Sequence, residues 1–238
     1  MDVRGKKALI IGGTSGIGLA AAQQLVAKGA QVVVMSRSAA NLEDARRQLG
    51  ASVETRALDV LDRAAMAATF EALAPFDILI NAATGGERAT GPFLKMDLDG
   101  FEGSFRKLWG YVNSVRLGAA HLAPNGCIVL VSGFPARKCA IGMAAISTVG
   151  NAVEGFMRAV APELAPRRIN VVSPGTIDTP MFAVQGEARA QFFAAATAGA
   201  LLKRPGTADE VAHGILFAIE NDYVTGTVID VDGGALLP

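Results

Sequence analysis

Short aliphatic runs alternate along this chain with longer stretches in which apolar and polar residues return at helical spacing. The runs are "ALII" from Ala8, "QVVVM" from Gln31, "SVETRAL" from Ser52, "DILI" from Asp77, "GCIVLVS" from Gly126, "INVVS" from Ile169 and "GTVIDV" from Gly226. Their length and β-branched content predict seven strands. Between them, Gly18 to Lys28, Asn41 to Leu49, Arg63 to Leu73 and Gly142 to Leu164 place apolar residues three and four apart and read as helices. Thr207 and Glu210 are spaced as a capping box ahead of "VAHGILFAI", which marks the start of the last helix. Strands alternating with helices predict an α/β fold: a parallel sheet with helices on both faces and a ligand crevice beyond the carboxyl ends of the strands.

Composition narrows the partners. The 238 residues are 51% hydrophobic, enough for a sizeable core in one large domain or two small ones. Lys+Arg and Asp+Glu are balanced at 22 each, so no net field draws the chain to nucleic acid or an anionic membrane, and a small-molecule ligand is expected. Cys127 and Cys139 are the only cysteines; they fit no metal-ligand spacing, no metal is expected, and they read as reduced thiols of a cytoplasmic protein. The apolar run at Ala8 to Ile11 is too short for a signal peptide. The apolar stretch Ala140 to Ala161 is interrupted by Ser147, Thr148, Asn151, Glu154 and Arg158, as in a buried or interface helix rather than a membrane span.

After the first strand comes "IGGTSGIG", in which Gly12, Gly16 and Gly18 open the first helix. A tight turn and a close backbone approach exclude a Cβ there, and the helix start offers unpaired N–H groups to a pyrophosphate. The second strand ends in "VVVMSRS", with no acid before Glu43 to hold a ribose 2′-hydroxyl. Arg37, between Ser36 and Ser38, instead offers a cation and hydroxyls to a 2′-phosphate, favouring NADP(H), unless it is simply a solvated loop arginine. Asp59 and Val60 suit the adenine edge, and Asn81, Ala82 and Ala83 the ribose; each alone is equally an ordinary strand-end residue.

Together these segments resemble the short-chain dehydrogenase/reductase family along nearly the whole chain. "IGGTSGIG" is similar to its TGxxxGxG turn, "INAA" at 80–83 to its NNAG, "VVSPGTIDTP" at 171–180 to its PG motif and "TGTVIDVDGG" at 225–234 to its closing strand. The resemblance implies a single Rossmann-type doubly wound domain over 1–238, a homodimer or homotetramer, and nicotinamide-dependent chemistry on a carbonyl or alcohol. It further implies cofactor contacts from Gly12, Thr14, Ser15, Gly16, Ile17 and Gly18, and from Pro174, Gly175, Ile177 and Thr179, with a substrate lid over about 176–206 that includes Phe182. Its Ala- and Phe-rich composition suits a partly apolar substrate.

The family's usual proton-handling residues, an Asn, a Ser and a TyrxxxLys pair, have no counterparts in this chain. Aligned from "INVVSPG" leftward, the Tyr falls on Ile146 and the Lys on Gly150; aligned from "GCIVLVSG" rightward, the Ser falls on Gly133, thirteen residues before 146 as the family spaces them. Ser132 is one place early, and strand alternation turns its side chain away. The Asn position falls on Lys107, with Asn113 as a rival that needs an unusually short helix. Lys107 is the candidate acid or oxyanion partner, since a lysine among apolar walls titrates near neutrality, although one that snorkels to solvent does not. Tyr111, one turn on, either orients that amine or fills a helix interface. Gly133 borders the substrate, and Arg137 with Lys138 offers cations to an anionic one, unless they are merely solvated. The leading expectation is an NADP(H)-dependent oxidoreductase with a rearranged proton donor. The alternatives are a catalytically silent NADP(H)-binding sensor or partner subunit, and a non-redox isomerase or lyase.

Overall fold

The computed structural model describes residues 1–84, 86 and 88–238. The elements are β1 (Lys7–Ile11), α1 (Gly16–Ala27), β2 (Gln31–Ser36), α2 (Ala39–Leu49), β3 (Glu54–Ala57), α3 (Arg63–Leu73) and β4 (Phe76–Asn81). They continue with α4 (Leu98–Ser104), α5 (Arg106–Gly118), β5 (Leu122–Val131), α6 (Ala144–Leu164), β6 (Arg168–Pro174), β7 (Ile177–Asp178), α7 (Gly186–Ala196), β8 (Gly206–Thr207), α8 (Ala208–Glu220) and β9 (Val228–Val231). Seven strands form one sheet in the order β3-β2-β1-β4-β5-β6-β9, with every pairing parallel. The seven strands expected from the sequence are these seven. The pair β7 and β8 is additional and forms its own two-residue ladder.

Side-chain alternation along each strand divides the interior in two. Ala8, Ile10, Val32, Val34, Ile78, Ile80, Val129 and Val131 pack under α1, α2 and α8, against Leu25, Leu49, Val211, Ile215 and Ile219. Their neighbours Leu9, Ile11, Val33, Leu79, Ile128 and Leu130 point the other way, onto Met66 and Phe70 of α3, Tyr111 and Val115 of α5, and Val153 and Met157 of α6. A strand with apolar residues on both faces is stable only when both are covered, which is what α1, α2 and α8 on one side and α3, α5 and α6 on the other provide. The capping box forms as the sequence predicts: Thr207 Oγ1 accepts from the Glu210 amide and Glu210 accepts from the Thr207 amide.

The strand order reverses between β1 and β4, and there the loops at the carboxyl ends diverge to leave a crevice. A groove of about 830 Å³ runs between α1 and α8, lined by Gln24, Lys28, His213 and Phe217, away from that crevice. Among the described residues no helix is long and apolar enough to cross a membrane, and no group of His, Cys, Asp and Glu is arranged to hold a metal ion.

Candidate functional site

The crevice floor is the turn from β1 into α1. Gly12 has φ +76°, and a Cβ there would stand 2.7 Å from the Ala83 amide nitrogen. A Cβ on Gly18 would collide with the Gly12 carbonyl oxygen. The two glycines therefore let the turn, the start of α1 and the end of β4 close together, as the sequence pattern anticipates. The Ser15 N-cap makes no side-chain bond, so the first amides of α1 stay open toward the crevice. This turn, closed to a Cβ at Gly12 and Gly18 and leading straight into the start of α1, fits a pyrophosphate. Thr14 is buried within it, Ile17 packs at its edge, and Thr179 leans on Gly16 from the opposite wall. That wall continues through Pro174, the end of β6, Gly175, whose amide bonds Val231 O, and Ile177, which pairs with Gly206.

Farther along the edge, Arg37 stands exposed, its Nη1 4.0 Å from Asp59 Oδ2. Ser38 caps α2 by accepting from the Asn41 amide, and its own amide donates to Ser36 Oγ. Arg37 thus sits exposed just ahead of the capped start of α2, a cation in a setting suited to a phosphate. Asp59 turns back to accept from the Leu61 amide, and Val60 packs on Gly110 while its carbonyl accepts from Asn113 Nδ2. Asn81 is fully buried; it donates to Ser114 Oγ at 2.9 Å and accepts from the Ala83 amide, while the Ala82 amide bonds Ile11 O. Ser114 was not a sequence candidate; as one polar position on an apolar helix face, it gave no signal of its partner.

A further wall is built by α5 against β5. Lys107, half-buried, reaches the carboxyl end of β5, where Nζ donates to Ser132 O at 3.3 Å and lies 5.5 Å from the Tyr111 ring centroid. Burial, reinforced by the positive charge of Arg88, lowers the Lys107 amine to about 8. Tyr111 is buried and donates to Val131 O at 2.8 Å; burial pushes its ionisation up despite that bond. Its hydroxyl is thus spent on anchoring α5, and its ring forms one wall of the Lys107 site. Asn113 faces Val60 and Arg63, away from the crevice.

Ser132 Oγ donates to Gly150 O at 3.3 Å beneath α6. At Gly133 an added Cβ would meet only ordinary contacts, the nearest being Pro135 Cδ at 3.4 Å. Ile146 is half-buried in the first turn of α6. Gly150 is closed over: a Cβ there would lie 2.9 Å from Ala136 Cβ, because the turn 134–136 rests on α6 and Asn151 Nδ2 donates to its Ala136 carbonyl.

Arg137 corrects a sequence expectation. Its Nε donates to Glu154 at 3.1 Å and both terminal nitrogens donate to Asp230, so its fork is filled and it holds the loop, not a substrate. The cause is Glu154, a carboxylate only 2% exposed on α6 that requires a counter-ion. Lys138 likewise points away, to the Ala235 and Leu237 carbonyls. Phe182 stacks with Phe192 and Phe193 over α7, and Arg189 ties the preceding segment together by donating to the Thr179, Phe182 and Val184 carbonyls. Arg88, missed in the sequence because a loop has no periodicity to read, places Nη1 2.8 Å from Met181 Sδ.

A family described as enoyl-(acyl carrier protein) reductase matches residues 12–235. A short-chain dehydrogenase/reductase of Stachybotrys chlorohalonatus is 30% identical over 253 residues, covering 99% of this chain and 98% of that protein. The 3-oxoacyl-[acyl-carrier-protein] reductase of Rattus norvegicus is 30% identical over 239 residues, covering 98% of both. Among solved structures, a small-chain dehydrogenase in complex with NADPH superposes with a TM-score of 0.84 at 33% identity, covering 98% of this chain and 99% of that one.

Proposed function

Since the chain belongs to the short-chain dehydrogenase/reductase family, we propose that it is an NADP(H)-dependent oxidoreductase acting on a carbonyl or alcohol of a small, partly apolar substrate through a non-standard active site. The observation that carries this reading is the Lys107 amine, held at the carboxyl end of β5 and lowered to about 8 in a chain with no proton donor at 133, 146 or 150. The bound nicotinamide supplies or accepts the two electrons as hydride. Gly12, Thr14, Ser15, Gly16, Ile17 and Gly18 receive the pyrophosphate, and Ser36, Arg37 and Ser38 the 2′-phosphate. Asp59 and Val60 border the adenine, Asn81, Ala82 and Ala83 the ribose, and Pro174, Gly175, Ile177 and Thr179 the facing wall. Lys107 in its ammonium form donates a hydrogen bond, then a proton, to the substrate oxygen, with Gly133 leaving room for that oxygen and Tyr111 fixing the direction of the amine. The chain acts as a single domain over 1–238, with 176–206 as its lid, Phe182 on the substrate side, and a homo-oligomer as its working form.

Replacing Lys107 with Met removes the charge and keeps most of the length. The kcat for carbonyl reduction by NADPH should fall by roughly 10² or more while NADPH affinity stays within about twofold. Full turnover by Lys107→Met would overturn the assignment. The closed Gly150 position favours one rival, a silent NADP(H)-binding subunit. Stopped-flow mixing of the NADPH-loaded protein with a carbonyl panel separates the two, because a silent subunit shows no NADPH oxidation with any member.

A further inference from the structure

With Arg137 committed to Glu154 and Asp230, and Lys138 to backbone carbonyls, the two loop cations expected to meet a substrate are both accounted for. A different cation stands over the crevice. Arg88 follows β4 in the loop whose Ala89 amide is pinned to Ser104 Oγ, and Ser104 in turn donates to Gly100 O at the end of α4. A Cβ on Gly86 would rest 3.4 Å from the Arg106 stem, so the loop sits on the first turn of α5, beside Lys107. From there the Arg88 guanidinium reaches across to Met181 of the lid segment, and among the described residues its Nη1 meets a thioether alone, a weak acceptor for a group built to grip oxyanions.

Among the described residues no carboxylate pairs with Arg88 or with Lys107, although ten other lysines and arginines have ion-pair partners. The two cations stand close enough that the charge on Arg88 helps to lower the Lys107 amine. Like charges brought together are unfavourable until an anion settles between them, and here one comes from the loop after β4 and the other from the first turn of α5, with Met181 facing the loop cation.

We propose that Arg88 forms a carboxylate-binding subsite beside Lys107, so that the substrate is an oxo acid, or in reverse a hydroxy acid, whose carboxylate lies next to the reacting carbon. The assignment rests on the oxidoreductase reading above for the reacting carbon and on Arg88 itself for the charge. Charge counting favours a carboxylate over a phosphate. Lys107 gives its positive charge to the substrate oxygen as a proton, leaving Arg88 as the permanent +1, which one carboxylate neutralises and a phosphate dianion overfills. For a 2-oxo acid the step balances: the carbonyl carbon takes one hydrogen with two electrons from NADPH, its oxygen takes the Lys107 proton, and the products are NADP⁺ and the 2-hydroxy acid. The exposed Phe93, Leu94 and Ile141 leave apolar surface for the rest of such a molecule, with the Gly91 amide bonded to Gly142 O between them.

The test is calorimetry on the full chain with and without NADP⁺, a combination that binds an oxo acid without reducing it. The probes are glyoxylate, phenylglyoxylate and 2-oxooctanoate, each against its methyl ester. At least one acid should bind about tenfold or more tightly than its ester, and Arg88→Met should erase that preference while leaving the ester unchanged. Equal binding of acid and ester, an unchanged preference in Arg88→Met, or no acid binding below about 10 mM overturns the subsite. Turnover with NADPH is a separate measurement: an acid preference in binding without NADPH oxidation keeps the subsite and removes the reductase reading.

Discussion

A single amine carries both a cost and a use. In the folded chain the Lys107 ammonium is lowered to about 8, whereas an unfolded lysine keeps its proton to about 10.5. Between those values the unfolded chain binds more protons than the folded one, so this residue makes stability rise with pH across that window and lowers it below. Lys107→Met should therefore melt at a higher temperature than the parent at pH 7, with the gap closing as pH approaches 10.5. On the proposed role of Lys107, activity should move the opposite way, falling in the parent as pH rises through about 8 and the ammonium is lost. Thermal melts and a kcat profile over the same buffers check both signs. Arg37 supplies the second residue-scale expectation: NADPH should bind at least about tenfold more tightly than NADH, and Arg37→Ala should abolish that difference in calorimetry. Lys107 was legible because its position could be counted from fixed segments on either side of the missing Tyr and Lys. Arg137 was misread because its determinant, the buried Glu154, sits a helix away, and exposure is not written in local sequence. Arg88 was overlooked for the same reason, since what distinguishes it is its place over α5 beside Lys107 and its contact with Met181.

At the scale of elements, the turn 134–136 explains why the usual residues are not simply interchangeable here. It rests on α6 at Gly150 and is fastened by Asn151 and by the Arg137 bridge to Glu154 and Asp230. Writing Tyr at 146 together with Lys at 150 should therefore gain no turnover and should lower the melting temperature, because the new side chain at 150 displaces Ala136. Removing the fastening should be costly in a different way. Arg137→Met leaves the Glu154 carboxylate with only Arg158, at 3.6 Å, and should destabilise the fold by about 2–4 kcal/mol. A drop of roughly 5–10 °C in melting temperature, with NADPH affinity retained, is the expected result. The seven strands of the sheet and the helices α1, α2, α3 and α6 were found within a few residues of their ends, and the α8 cap was found to the residue, whereas α7 was not read as a helix. The β7 and β8 ladder was not, because two-residue strands have no pattern to read; their pairing is set by where the chain leaves and rejoins the sheet.

For the molecule as a whole, the alternation that sends Ile10 to one core and Leu9 to the other was visible as uninterrupted apolar strands, and it fixed the layers before any contact was known. What alternation does not report is which outer faces remain for a partner. Trp109 on α5 is 53% exposed, and Phe156 on α6 is only partly covered. The proposed homo-oligomer, joined through α5 and α6, would cover this surface, so light scattering at micromolar concentration should give a mass above one chain, and Trp109→Glu should reduce it to one. The segment proposed as a lid obeys a separate geometry. Ile177 pairs with Gly206 and Asp178 with Thr207, so the lid's two ends leave the body side by side. Arg189 and the three phenylalanines hold its middle without calling on the sheet. A segment with adjoining ends and its own packing is a removable cassette: exchanging 180–205 for a foreign sequence keeps Thr179 against Gly16 and leaves every sheet register in place, which makes this the natural point at which to graft a new substrate preference onto the chain.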